Sequence, residues 1–174
     1  ESSTSTKGIK AGGGMYLNGG TYQIDSADDS IHSNANITIA DGTYTLATGD
    51  DGVHADDALI VNGGTITVTE SYEGLEGLTV TINDGTIDIT ASDDGINTAG
   101  EKMELNGGYI HILAGGDGLD SNGDLTINGG EIYIDGPSDN GNSAIDYGDR
   151  SSAYVNGGTL VAIGSSGMAE VMSD

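Results

Sequence analysis

Acidic residues recur beside glycine at a regular spacing along this sequence, and their side chains could bind a metal ion. One or two acids precede a pair made of Gly and an aliphatic residue, and in several units a further acid follows three residues later. Carboxylate oxygens are preferred ligands of Ca²⁺. Thiolates, which softer metals prefer, are absent because the chain has no Cys. We therefore predict that Ca²⁺ is the cofactor and that its ligands come from Asp28, Asp29, Asp50, Asp51, Glu73, Glu76, Asp93, Asp94, Asp117, Asp120 and Asp146.

These acids would repel one another if the units stacked. Two carboxylates about 4.8 Å apart repel by about 3.5 kcal/mol at an effective dielectric constant of about 20. A bound cation would remove this repulsion. His32 and His54 occupy the same position of the repeat as Glu76 and Asp120. Because hard cations prefer oxygen, we expect both histidines to be outward surface groups rather than Ca²⁺ ligands, and zinc or copper is disfavoured.

The acids belong to a repeat that covers the whole chain. Its clearest marker is the second glycine of an Asn-Gly-Gly-like turn, which occurs at Gly20, Gly42, Gly64, Gly85, Gly108, Gly130 and Gly158. The spacing is close to 22 residues in every unit except the last. A low-aromatic, highly charged chain can be disordered, but disorder does not keep a register over seven units.

Each unit contains three short apolar-polar alternations rich in β-branched residues, separated by turns. Three strands per unit of this length predict an all-β right-handed parallel β-helix of about seven coils. Stacking should place the aliphatic residues and Tyr22 and Tyr44 inside, and should align asparagines into a corner ladder that Ala40 interrupts. The residue after each of these asparagines, such as Gly63 or Gly107, would take a positive φ.

The charge excludes several functions. The chain carries 28 acidic and 4 basic residues, giving a formal net charge of −24, which repels nucleic acids. No run of 18 apolar residues predicts a membrane span. Asp outnumbers Glu by 20 to 8. Because Glu would serve solubility equally well, this excess indicates turns and oxygen-ligand metal sites.

Several segments resemble a family of clostridial-type carbohydrate-binding β-helix proteins that are related in fold to polysaccharide lyases. The resemblance rests on the recurring Asp-Asp-Gly-Ile and Asn-Gly-Gly-Thr motifs and on segments 6–11 and 164–170. It implies a bacterial, secreted or cell-surface, calcium-containing β-helix that binds plant cell-wall polysaccharide such as cellulose or pectin. We expect a single domain over residues 1–174, and family members that continue past residue 170 suggest a fragment with an unfinished C-terminal coil.

The repeat favours a binding function over catalysis. An acid pair also occurs in β-helical polygalacturonases, but the Gly-His-Gly and Arg-Ile-Lys segments of those enzymes are absent, and a catalytic site should occur once. A Ca²⁺-dependent lyase stays the enzymatic alternative. Structural, filament-forming or adhesive roles, with end-to-end self-association through exposed coil edges, are a further alternative, and a broken Thr ladder gives ice binding little support. Outward aromatic platforms for sugar rings are predicted at Tyr16, Tyr109, Tyr133 and Tyr154.

Overall fold

The fold is an all-β parallel solenoid of about six turns. The structure, a computed structural model, describes residues 6–173, without the side chain of Glu101. No helix occurs in this range, so none of the described residues forms a helix that could span a membrane. The strands are β1 (Ile9–Ala11), β2 (Met15–Ser26), β3 (Ile31–Ser33), β4 (Ile37–Thr48), β5 (Val53–Val61), β6 (Thr65–Glu70), β7 (Leu75–Ile82), β8 (Thr86–Ala91), β9 (Ile96–Leu105), β10 (Tyr109–Ala114), β11 (Leu119–Ser121), β12 (Asp124–Ile127), β13 (Glu131–Asp135), β14 (Ile145–Tyr147), β15 (Ala153–Val155) and β16 (Thr159–Ile163).

Every strand pairing is parallel and joins residues about one repeat apart, which confirms the register predicted from the sequence. Three ladders run along the solenoid. The first, which follows the acidic turns, joins Ile9, Ile31, Val53, Leu75, Ile96, Leu119 and Ile145. The second and third ladders pair the strand segments before and after the Asn-Gly-Gly turns.

The predicted division into three short strands per unit is wrong for several coils. β2 and β4 continue through the Asn-Gly-Gly corner, and β5, β7 and β9 continue from the first ladder into the second. Shifts in pairing register mark these corners, for example between Ala55 and Ala58. The chain therefore turns these corners through β-bulges, and its hydrogen bonding to the neighbouring coil continues on both sides of the bend.

The interior is aliphatic, as predicted. Ile31, Leu59 and Ile87 are fully buried, like most inward residues of the middle coils. The ring of Tyr44 is fully buried and stacks on Tyr22 with centroids 4.8 Å apart. Alternation sends every second side chain of each strand outward, so the next position of each ladder is available for polar chemistry.

The Asn-Gly-Gly corner is held by side-chain amides. Asn83 Nδ2 donates to Asn62 Oδ1 at 2.8 Å, and the same bond repeats through Asn106, Asn128 and Asn156. This confirms the predicted ladder. In six of the seven units the positive φ lies one residue later than predicted, at the second glycine, as in Gly64 with φ of 91°. In the first unit Gly19 has the predicted positive φ, and Gly20 has one as well. A Cβ on Gly64 would also contact the backbone of Gly42, so both conformation and space require glycine there.

Candidate functional site

The predicted acids form three parallel columns on one face of the solenoid, which we call the acidic face. The first column is fixed by backbone bonds from each following amide to the next acid's carbonyl, as from Gly52 N to Glu73 O at 3.0 Å. It contains Lys7, Asp29, Asp51, Glu73, Asp94 and Asp117. The second column, set by the first ladder, contains Lys10, His32, His54, Glu76, Asn97, Asp120 and Asp146. The third contains Asp28, Asp50, Tyr72 and Asp93.

Glycine allows these turns to approach one another closely. A Cβ on Gly74 would overlap the carbonyl oxygen of Gly95 on the next coil and the side chain of Ile89 beneath it. Any larger residue would force the coils apart at the acidic face. The Gly of the recurring acid-Gly-aliphatic motif is therefore a packing requirement, and it is what brings successive carboxylates within one coil spacing.

At the N-terminal end of the acidic face, a lysine neutralises the acids. Lys7 Nζ donates to Asp28 Oδ1 at 3.0 Å and also to Asp29 Oδ2. The bond from Lys7 lowers the pKa of Asp28 to about 2. Burial lowers the pKa of Lys7, but its bonds to Asp29 and Asp28 raise it more, so the net shift is upward. This end has a protein cation of its own.

In the middle of the acidic face lie two histidines. His32 is buried and its Nδ1 bonds Asp29 Oδ2 at 2.7 Å. His54 Nδ1 lies 3.0 Å from Asp51 Oδ2 and 3.0 Å from Glu76 Oε2. Burial lowers the pKa of His54, but its bond to Asp51 and the charges of Glu76 and Asp29 raise it well above the ordinary value. The expectation that both histidines are outward surface groups is wrong for His32, because the acids of the first column enclose it.

Further along, the acids have no protein cation. None of the ion pairs between described residues includes Glu73, Asp93, Asp94, Asp117 or Asp120. Burial is the main cause of a rise in the pKa to about 7 for each of Glu73, Asp94 and Asp120, and neighbouring carboxylates add to it. The ionised form of this cluster is therefore unfavourable without a cation.

The side-chain oxygen of Asn97 also indicates that this cluster favours a bound cation. Asn97 lies between Glu76 and Asp120 in the second column and is buried. Its Nδ2 donates to Glu73 Oε2 at 3.0 Å, but its Oδ1 is buried without a hydrogen-bond partner among the described residues. Buried polar atoms without a partner are uncommon, since each costs about 1–3 kcal/mol. An amide oxygen is a good Ca²⁺ ligand.

The donor set of this part of the acidic face fits a hard divalent cation. Ligand oxygens of Glu73, Asp93 and Asp94 lie within 4.8 Å of one another, as do those of Asp94, Asp117 and Asp120. All of these donors are oxygens, and the two groups together with Asn97 offer six donor residues, against the six to eight oxygens that Ca²⁺ takes.

The remaining predicted ligands are arranged differently. Asp28, Asp29 and Asp50 form a group beside Lys7, whereas Asp51 and Glu76 form a group with His54. Asp146 is paired in register with Asp120 but belongs to none of the ligand groups found among the described residues. The structure therefore divides the predicted column of equivalent acids into three parts with different cations available to each.

The tyrosines predicted as sugar platforms separate into a pair and two single residues. The rings of Tyr109 and Tyr133 lie on adjacent strands of the third ladder with centroids 5.7 Å apart. Tyr16 and Tyr154 lie on the second ladder, in β2 and β15 near opposite ends of the solenoid. Tyr109 is 42% exposed, so an outward ring face is available beside its neighbour.

Sequence reasoning missed the roles of Lys7, His32, His54 and Asn97. Their phase in the repeat was the available signal: Lys7 stands where other units have an acid, and the other three stand where Glu76 and Asp120 stand. A residue in phase with carboxylates faces the same surface, whatever its own type.

Comparison with known proteins agrees with a carbohydrate-binding role. A model of the family described as "Carbohydrate-binding domain-containing protein" matches residues 1–52 and 50–173. Searches of curated proteins and of solved structures found no significant match. The two matched segments together cover nearly the whole chain, and the chain therefore belongs to the carbohydrate-binding domain-containing family.

Proposed function

We propose that this chain is a non-catalytic, extracellular polysaccharide-binding module, built as a right-handed β-helix of seven coils and stabilised by Ca²⁺. Membership of the carbohydrate-binding family is the observation that supports binding to a glycan. The uncompensated carboxylates of the acidic face support the metal.

In this proposal, Ca²⁺ is held by Glu73, Asp93, Asp94, Asp117 and Asp120, with the Oδ1 of Asn97. Burial, with added repulsion from neighbouring carboxylates, raises the pKa values of Asp94 and Asp120, and the cation would stabilise their charged forms. Bound Ca²⁺ supplies positive charge, and the ion can also coordinate an oxygen atom of another molecule. The protein residues contribute the rigid spacing of the ligands, since they stand on three successive coils that are held by the strand ladders.

The proposed ligand is a plant cell-wall polysaccharide of the cellulose or pectin type. A chain with a formal charge of −24 repels an anionic uronate polymer unless a cation links the two sets of carboxylates. A neutral glucan would instead stack on aromatic rings, for which the pair of Tyr109 and Tyr133 is the best-formed surface. The two polymers therefore require different faces of the solenoid.

Retention on insoluble polymer tests the proposal. Protein is mixed with polygalacturonate gel or with cellulose, in Ca²⁺ or in EDTA, and the bound fraction is measured. We expect retention on polygalacturonate that EDTA abolishes, or retention on cellulose that EDTA leaves unchanged. Failure to bind either polymer, or any other cell-wall glycan, would contradict the proposal.

The non-catalytic part of the proposal follows from repetition. Groups of acids occur on several coils, and the two lysines of the acidic face, Lys7 and Lys10, lie at its N-terminal end, where Lys7 already pairs with Asp28 and Asp29. A lyase needs a base placed once, next to the proton that it removes. Incubation with pectate in Ca²⁺ should give no increase in absorbance at about 235 nm, where unsaturated products of the lyase reaction absorb.

A structural or adhesive function is the second candidate. Ile163 is 65% exposed, and Val155 and Val161 are each 43% exposed, on the last described coil. Apolar side chains beside strand edges favour association with another coil. Size-exclusion chromatography across a range of concentrations would reveal end-to-end assembly, and a monomer at all concentrations would contradict it.

A further inference from the structure

The two histidines of the acidic face form a pair on neighbouring coils. His32 and His54 are register partners, and their rings lie with centroids 5.0 Å apart at 66°. His32 is only 7% exposed, whereas His54 is partly exposed. The two nitrogens of each ring face different neighbours, so their contacts can be followed separately.

The Nδ1 atoms are already bound to acids of the first column. His32 Nδ1 lies 2.7 Å from Asp29 Oδ2, and His54 Nδ1 lies 3.0 Å from Asp51 Oδ2. An ionised carboxylate can only accept, so Nδ1 is the donor in both bonds. In the neutral ring this leaves the lone pair on Nε2. A carboxylate that holds Nδ1–H is the usual outer partner of a histidine that binds a metal through Nε2.

The Nε2 atoms face one further carboxylate. His32 Nε2 lies 3.6 Å and His54 Nε2 lies 3.7 Å from Asp56 Oδ1. Both distances exceed a hydrogen bond, and neither Nε2 has a hydrogen-bond partner among the described residues. A buried histidine thus directs an unpartnered nitrogen at Asp56, across a groove of about 870 Å³ that all three side chains line.

We propose that His32 Nε2, His54 Nε2 and Asp56 Oδ1 bind a divalent transition-metal ion of the zinc class, with Asp29 and Asp51 positioning the two rings. Ligand atoms around a tetrahedral Zn²⁺ stand about 3.3 Å apart, so the two contacts to Asp56 have to shorten and the two Nε2 atoms have to come to the same separation from each other. Three protein ligands leave a coordination position open to the groove. This site goes beyond the carbohydrate-binding proposal and does not depend on it.

The site differs from the all-oxygen cluster in the class of ion that it selects. Imidazole nitrogen suits Zn²⁺, Ni²⁺ or Cu²⁺, whereas Ca²⁺ prefers oxygen. An ion bound through Nδ1 would need the atoms that already bond Asp29 and Asp51, and Asp29 Oδ2 also accepts from Lys7. Binding through Nε2 keeps all of these bonds, which is why the structure favours it.

Metal titration of the full chain, purified without a polyhistidine tag and saturated with Ca²⁺, tests this site. Calorimetry with Zn²⁺ and visible absorption with Co²⁺ measure affinity and nitrogen ligation. We expect one Zn²⁺ per chain, and a loss of affinity of at least about tenfold in each of His32→Gln, His54→Gln and Asp56→Asn. The matched controls are His111→Gln, which removes a histidine paired with Asp88 on another strand, and Asp57→Asn, the exposed neighbour of Asp56. Both controls should bind Zn²⁺ like the unmodified chain.

Long-range proton–nitrogen NMR identifies the ligating atom. We expect Zn²⁺ to shift Nε2, and not Nδ1, of His32 and His54. Absence of Zn²⁺ binding, or affinity equal in the controls and in Asp56→Asn, would overturn the proposal. So would a shift at Nδ1 together with a loss of affinity in Glu76→Gln, which would place the ion on the other side of the rings. Because Asp56 is exposed, Asp56→Asn should fold normally and stays informative if a histidine variant does not.

Discussion

Asn97 donates its Nδ2 to Glu73 Oε2 at 3.0 Å and keeps its Oδ1 buried without a hydrogen-bond partner among the described residues. The two residues stand on adjacent coils, and Glu73 forms no ion pair with any described residue. Glu73 has no protein cation among the described residues and the Asn97 Oδ1 has no donor, so both offer oxygen lone pairs of the kind that a hard cation takes. This relationship separates the oxygen-only part of the acidic face from the part that contains histidine.

Replacing Asn97 by Ala should weaken Ca²⁺ binding by about tenfold, because one oxygen ligand is lost. The metal-free protein should change little in stability, since the substitution also removes an unpartnered oxygen. Calorimetric titration of Ca²⁺ measures the first effect and thermal melting in EDTA measures the second. The matched control is Asn106→Ala, which breaks two bonds of the asparagine ladder and should lower stability without changing Ca²⁺ affinity.

Removal of Ca²⁺ should lower the melting temperature. A ligand present at about 100 times its Kd stabilises the native state by about 2.7 kcal/mol, which corresponds to roughly 5–10 °C for a chain of this size. Differential scanning calorimetry in Ca²⁺, in Mg²⁺ and in EDTA provides the measurement. Mg²⁺ should protect less, because it demands a regular octahedral site. Equal melting temperatures in Ca²⁺ and EDTA would contradict calcium stabilisation.

The stability of the metal-free protein should fall as the pH rises from about 4 to about 7. Burial raises the pKa values of Glu73, Asp94 and Asp120 to about 7 in the folded state, from ordinary values of 4.5, 3.8 and 3.8. Between these limits the folded state binds more protons than the unfolded state, so unfolding becomes easier with rising pH. Melting curves in EDTA at a series of pH values measure the effect.

Saturating Ca²⁺ should remove most of this pH dependence at neutral pH, because the ion holds the carboxylates in their charged form. Asp120→Asn in EDTA should likewise flatten the profile. A metal-free protein that becomes more stable between pH 5 and pH 7 would show that these carboxylates are stabilised by some other partner.

Lys7→Met should destabilise the protein by about 1–3 kcal/mol, since the side chain of Asp29 is almost fully buried and would keep only the histidine contacts and the bond from the Asp51 amide. Chemical unfolding in urea measures the loss. Lys10→Met is the matched control, because Lys10 is exposed and forms no ion pair among the described residues. A loss of equal size in both variants would mean that the bonds of Lys7 to Asp28 and Asp29 contribute nothing.

If a neutral glucan binds, Tyr109→Ala should weaken its retention about threefold to tenfold, in line with aromatic stacking worth about 0.5–1.5 kcal/mol. Tyr133→Ala should act similarly, because the two rings adjoin. Tyr16→Ala provides the control, as Tyr16 is 66% exposed and lies on another ladder. Affinity electrophoresis in gels containing the glucan would measure all three variants.

The fold was largely predictable from the sequence, because a parallel solenoid places equivalent residues of successive units next to each other. The spacing of the second glycines predicted the pairing of Ile31 with Val53 and the bonds between Asn62 and Asn83. The corner conformation was less predictable. The positive φ falls at Gly64 rather than Gly63, and a Cβ on Gly64 would also contact the backbone of Gly42, which no local sequence pattern indicates.

The candidate site was predictable as a surface but not as a set of contacts. The repeat alone establishes that Asp29, His32, Asp51 and His54 share one face, because residues in phase stack along the solenoid axis. Tertiary structure decides which groups lie beside the acids of that face. Lys7 lies at one end and the imidazoles come next, whereas the described residues place no cation beside the acids around Asn97. The reason is physical. The period of the repeat determines which face of the solenoid a residue lies on. The burial, rotamer and hydrogen-bond partner of its side chain depend on residues about 22 positions away in the chain, and the sequence around the residue itself does not indicate their charges.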